Sequence, residues 1–100
     1  MVDIKSLQEK IYRNKIEKNF NVTDIYKEFC YLHIEIAEAI DAYYKQNGNV
    51  GEELADIAIY LLGLAEIIGI NLEDEILRKI DINEKRQYIH KDGINICINE

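Results

Sequence analysis

The stretch YLHIEIAEAIDAYYKQNGNVGEELADIAIYLLGLAEII, residues 31–68, decides the fold. Read at roughly 100° per residue it is two helices, interrupted once at Asn47, Gly48 and Asn49, where the residue types favour a turn. A turn that short leaves its two helices antiparallel and in contact. Each helix carries an acidic pair three residues apart, Glu35/Glu38 and Glu53/Asp56, inside its most apolar stretch. Glu35 and Glu38 share a stripe with Tyr31, Leu32, Ala39 and Ala42, and Glu53 and Asp56 share one with Ile57, Tyr60, Leu64 and Ile67. Both stripes should face a core.

With 19 acidic residues in 100, acid pairs at this spacing arise by chance, and most lie on a solvated face. These two keep apolar company instead. A buried carboxylate is strongly unfavourable unless it is paired or bound to a metal, and no lysine or arginine occurs between Lys45 and Arg78 to pair with the second set. Glu35, Glu38, Glu53 and Asp56 are therefore the expected metal ligands. An all-carboxylate set suits magnesium, or manganese, rather than zinc or copper, which favour histidine and cysteine. His33 falls on roughly the opposite side of its helix from Glu35 and reads as a packing or surface residue, and His90 carries no such signal.

Working outward, the chain has no proline and only five glycines, so few breaks divide it. A first helix is expected over about residues 3 to 18, with Ile4, Leu7, Ile11 and Ile16 on its apolar side and its end at Asn19 to Asn21. The second should start at Thr23 or Asp24, either of which can cap it, and run through Lys45. The third, about residues 52 to 68, is apolar around most of its circumference, as expected of a helix in the middle of a bundle. Gly69 is placed to close it in the left-handed conformation, and Asn71 to cap a fourth helix that opens with Glu73, Asp74 and Glu75 and reaches about Lys85. Beyond Tyr88 the period changes to two, with Ile94, Ile96 and Ile98 alternating after the turn signal Asp92-Gly93, which predicts a short C-terminal hairpin. The fold expected is all-α with that hairpin appended, in one domain spanning residues 1–100.

A net charge of −7 argues against a general nucleic-acid or anionic-membrane surface, so neither is expected as a partner. No apolar run approaches a bilayer span, there is no apolar N-terminal signal segment, and Cys30 and Cys97 form no metal-finger pattern. The protein reads as cytoplasmic with reduced thiols. A carboxylate-held magnesium usually holds phosphate oxygens as well. The chain offers partners for them in LRKIDINEKRQY, residues 77–88, where Lys79, Asn83 and Arg86 share one face of the fourth helix. The alternative for that triplet is a solvated helix end with basic residues near the C-terminal dipole.

Taken together, the acidic pair, the turn, the second pair in ELADIAIYLLGLA and the segment GINLEDEILRKIDINEKRQY resemble the MazG-like nucleoside triphosphate pyrophosphohydrolases. That family lies in an all-α superfamily with dimeric dUTPases, dCTP pyrophosphatases and phosphoribosyl-ATP pyrophosphohydrolases. The resemblance covers about residues 20 to 88. The family pattern, EExxE, a spacer and ExxD, is met by Glu35, Glu38, Glu53 and Asp56, except that Ile34 stands where the family often has a further glutamate; Glu52 is a candidate to contribute a carboxylate from the other helix.

The resemblance implies a four-helix half-bundle that pairs into a dimer or tetramer. It implies hydrolysis of a nucleoside triphosphate to monophosphate and pyrophosphate, with Glu35 and Glu38 catalytic. Glu38, Glu53 and Asp56 would hold one magnesium, and Glu35 would hold a second or orient water. Lys79 and Arg86 would clamp phosphates, with Asn83 positioning sugar or phosphate. Tyr43, Tyr44 and Tyr60 are candidates to stack on the base. A phosphoribosyl-ATP substrate is the alternative within enzymes, and a non-catalytic, nucleotide-binding helical regulatory dimer the alternative outside them.

Overall fold

The computed structural model describes residues 2–46 and 48–99. Four helices, α1 (Ile4–Glu17), α2 (Ile25–Lys45), α3 (Val50–Ile67) and α4 (Leu72–Lys85), are followed by strands β1 (Tyr88–Lys91) and β2 (Ile94–Cys97). Local chemistry sets the boundaries. Asp3, Asp24 and Asn71 cap α1, α2 and α4 by accepting from the backbone N–H groups of Ser6, Lys27 and Asp74, so Asp24 rather than Thr23 starts the second helix. α1 and α3 end alike. Asn19 and Gly69 adopt positive φ, and the next N–H groups, Phe20 and Ile70, each donate at 2.9 Å to a carbonyl five residues back. α3 starts at Val50, slightly before the expected position. Of the expected turn residues, Asn47 lies outside the described residues, and Gly48 has φ 84°.

α3 packs against both α1 and α2, as its apolar girth predicts, whereas α4 packs on α1. Along α1 the structure corrects the expected face. Ile16 is exposed, and Lys15, one turn beyond Ile11 on the same stripe, is buried in its place. Gly63 makes room for it, since a Cβ there would lie 3.0 Å from Lys15 Cε and 3.2 Å from Ile11 Cγ2. Lys15 Nζ pairs with Glu28 Oε1 at 2.5 Å, and Asn21 Nδ2 donates to Glu28 Oε2 at 3.0 Å.

The hairpin pairs Tyr88 with Cys97 and Lys91 with Ile94, across an Asp92-Gly93 turn in which both residues have positive φ. Asn99 fastens it to the end of α4, its side chain accepting from Gln87 N and donating to Lys85 O. Among the described residues no helix is long and apolar enough to cross a membrane.

Candidate metal centre

The two acidic pairs meet where α2 and α3 run side by side. One carboxylate oxygen from each of Glu35, Glu38 and Glu53 lies within 4.8 Å of the other two. Glu35 and Glu53 are half-buried, and in each the Oε2 atom is buried without a hydrogen-bond partner. Among the described residues no ion pair involves any of the three. Burial is the first cause that raises the Glu35 carboxyl above the ordinary glutamate range, followed by the charges of Glu38 and Asp56. Glu53 is raised in the same way, by burial and then by Glu38, Asp56 and Glu52. Like charges have been brought together with no ion-pair partner among the described residues, an arrangement a divalent cation would relieve.

Asp56 stands differently from the other three. It is exposed and outside the close trio, although its charge is felt at both Glu35 and Glu53. Glu52 is exposed too, and His33 is exposed, in keeping with its expected distance from the ligands. A cavity of about 360 Å³ opens beside the cluster, lined by Ile34, Glu38, Asp41 and Glu53 among others. A larger groove of about 880 Å³ continues along α2 and α3 toward their turn, with Ile36, Ile40, Tyr43, Tyr44 and Leu54 on its walls. Ala42 lines both.

Of the tyrosines, Tyr43 and Tyr44 are exposed on that wall. Tyr60 is engaged underneath. Its ring centroid is 6.0 Å from that of Tyr31, and Lys15 Nζ lies over the ring, 5.3 Å from the centroid. Burial, then the negative charges of Glu35 and Glu28, push the Tyr60 hydroxyl up. Sequence reasoning placed Tyr31 and Tyr60 on the core-facing stripes but missed Lys15 and Glu28, which complete this floor. The signal was present, since Glu28 lies two turns before Glu35 on the same stripe.

Lys79 and Asn83 are exposed on α4, whereas Arg86, expected on the same helix face, follows its last residue in extended backbone (φ −72°, ψ 138°) and is half-buried, with its Nε buried and unpartnered. Among the described residues no hydrogen bond or ion pair links these three side chains to the acidic cluster, and their helix packs on α1 rather than alongside the ligands.

No curated protein matches the chain. A solved structure, the cyanophage S-2L MazG-like pyrophosphohydrolase bound to dGDP and three catalytic Mn2+ ions per active site, superimposes with a TM-score of 0.76 at 25% identity, covering 99% of this chain and all of that one. The MazG-like family model matches residues 16–98, from the end of α1 through the hairpin. On that match this chain belongs to the MazG-like family.

Proposed function

We propose that this protein is a magnesium- or manganese-dependent nucleoside triphosphate pyrophosphohydrolase that converts an NTP or dNTP to the monophosphate and pyrophosphate. The observation that carries the reading is the trio Glu35, Glu38 and Glu53, with two buried carboxylate oxygens unpartnered. Three hard oxygen donors fit Mg2+ or Mn2+, and the similar cyanophage enzyme holds Mn2+ and a guanine deoxynucleotide. Bound there, divalent cations neutralise charge on the phosphate oxygens and make water more acidic.

The chain's own residues do the rest. Glu38, Glu53 and, from its exposed position, Asp56 hold metal, while Glu35 holds a further ion or orients the attacking water. Lys79 and Arg86 contact the phosphates, the planar guanidinium at two points, and Asn83 takes sugar or phosphate. Tyr43 or Tyr44, on the wall of the apolar groove, offers a face to the base.

The working form is a homodimer or homotetramer in the cytoplasm. The accessible surface of 7788 Å² compares with about 5,900 Å² for a compact monomer of 11.7 kDa. The excess is of the size that a stable homodimer interface covers on each subunit.

A panel of triphosphates headed by dGTP, assayed with Mg2+ and with Mn2+ for pyrophosphate and orthophosphate separately, tests the reading. Metal-dependent pyrophosphate release from at least one of them is expected, and orthophosphate as the only product overturns it.

A further inference from the structure

One side chain of α1 bonds the end of α3, the connection and the start of α4. Gln8 is fully buried, and its amide is used at both ends. Its Nε2 donates to the Ile70 carbonyl at 2.8 Å and to Glu66 Oε1 at 3.2 Å, and its Oε1 accepts from the backbone N–H of Leu72 at 2.8 Å. One amide therefore ties the last turn of α3, the connection and the first residue of α4. Leu72 N–H is among the donors that a helix start leaves without an internal partner.

The return contact is reciprocal. Glu73, in the first turn of α4, accepts at 2.9 Å from Ile4 N, an equally orphaned donor at the start of α1. Lys5 braces the arrangement by pairing with Glu66 at 2.9 Å.

A buried amide with every contact made gains little stability over a well-packed apolar side chain, but it fixes geometry that apolar packing leaves free. The geometry matters here because α4 has its main packing partner in α1, whereas α3 is packed by both α1 and α2. At 1.5 Å per residue Arg86 is about 21 Å from Leu72, so a tilt of about 10° at the start of the helix displaces its far end by roughly 4 Å. Displacements of that size are large for a contact group, since misplacement by about 1 Å is enough to matter to catalysis.

We propose that Gln8 is a positioning residue for the phosphate-contacting face of α4. By locking the α3–α4 connection it sets where Lys79, Asn83 and Arg86 meet the substrate. This rests on the reading of those three residues as phosphate contacts.

The test compares steady-state kinetics with dGTP, or with the best substrate of the panel, in the wild type, Gln8→Met, Glu73→Ala and Arg86→Ala. Mn2+ affinity is measured on each. Gln8→Met keeps the side chain's length and removes all three hydrogen bonds. It should raise KM about tenfold, with kcat at saturation and Mn2+ affinity little changed, and Glu73→Ala should raise KM less. A fall in kcat and Mn2+ affinity together with the change in KM means that Gln8 is merely structural and overturns the proposal. So does an unchanged KM in Gln8→Met while Arg86→Ala raises it. If Gln8→Met does not fold, an unchanged KM in Glu73→Ala overturns it in the same way. An unchanged KM in Arg86→Ala rejects the phosphate reading of α4 itself, and the proposal falls with it.

Discussion

The carboxyl of Glu53 is pushed above the ordinary glutamate range by burial first and then by the charges of Glu38, Asp56 and Glu52, and that of Glu35 by burial, Glu38 and Asp56. A carboxyl raised in this way holds its proton better folded than unfolded. Its stabilising effect is complete below the unfolded glutamate value and is lost as pH rises through the raised folded value. The metal-free protein should therefore lose melting temperature as pH climbs from the ordinary glutamate range toward neutrality. Glu53→Gln should flatten that decline and melt higher than wild type in EDTA. A divalent cation should reverse the order, because a ligand that binds the folded state stabilises it, and the wild type binds it better. Thermal scans with EDTA and with Mg2+ decide the matter: a variant less stable than wild type in both would make these carboxylates structural partners of something else. The same substitution should lower turnover roughly 10²- to 10³-fold, while Glu17→Gln, exposed on α1, should change neither property. Arg86→Lys keeps the charge and loses the planar fork, so it should weaken triphosphate binding and leave Mn2+ binding intact; unchanged kinetics would remove Arg86 from the site.

At the scale of elements, the three-layer order α1, α3, α2 depends on the close approach at Gly63. Alanine there gains about 1 kcal/mol of helix propensity but meets Ile11 and a Lys15 held in place by Glu28, and overpacking of this kind costs about 1–3 kcal/mol. Gly63→Ala should be net destabilising. Lys15→Met should lose about 3–5 kcal/mol, because it strands the buried Glu28 charge, and adding Glu28→Gln should recover much of the loss. Denaturant melts of the three variants check both expectations; full stability in Lys15→Met would deny that Glu28 is buried as a charge.

These elements also show what the sequence makes legible. The four helices, their caps and the hairpin follow from local patterning at Asp24, Gly69, Asn71 and Asp92-Gly93, and the acidic trio follows from two stripes and a short turn. Lys15 was hidden because a charged residue on an apolar stripe declares itself buried only once Glu28 and Gly63 are known to face it. The tie between α1 and the start of α4 was hidden because Gln8 reaches residues more than sixty positions away.

The whole molecule is more open than its length warrants. Its radius of gyration is 16.9 Å, against about 13 Å for a compact domain of this size, and Ile40, Tyr43, Tyr44 and Leu54 are exposed along one groove. The hairpin is likewise exposed, although two strands alone are marginally stable in water. Light scattering should give a dimer or tetramer, and Ile40→Glu with Leu54→Glu should lower the mass toward 11.7 kDa; a monomeric wild type would refute the assembly. The proposed activity rests on the cation site, and a titration of the intact protein with Mn2+, followed by the electron paramagnetic resonance signal of the free ion, tests for it most directly. Saturable binding in the wild type, strongly weakened in Glu53→Gln and retained in Glu17→Gln, is the predicted result, and equal binding in all three proteins would contradict it.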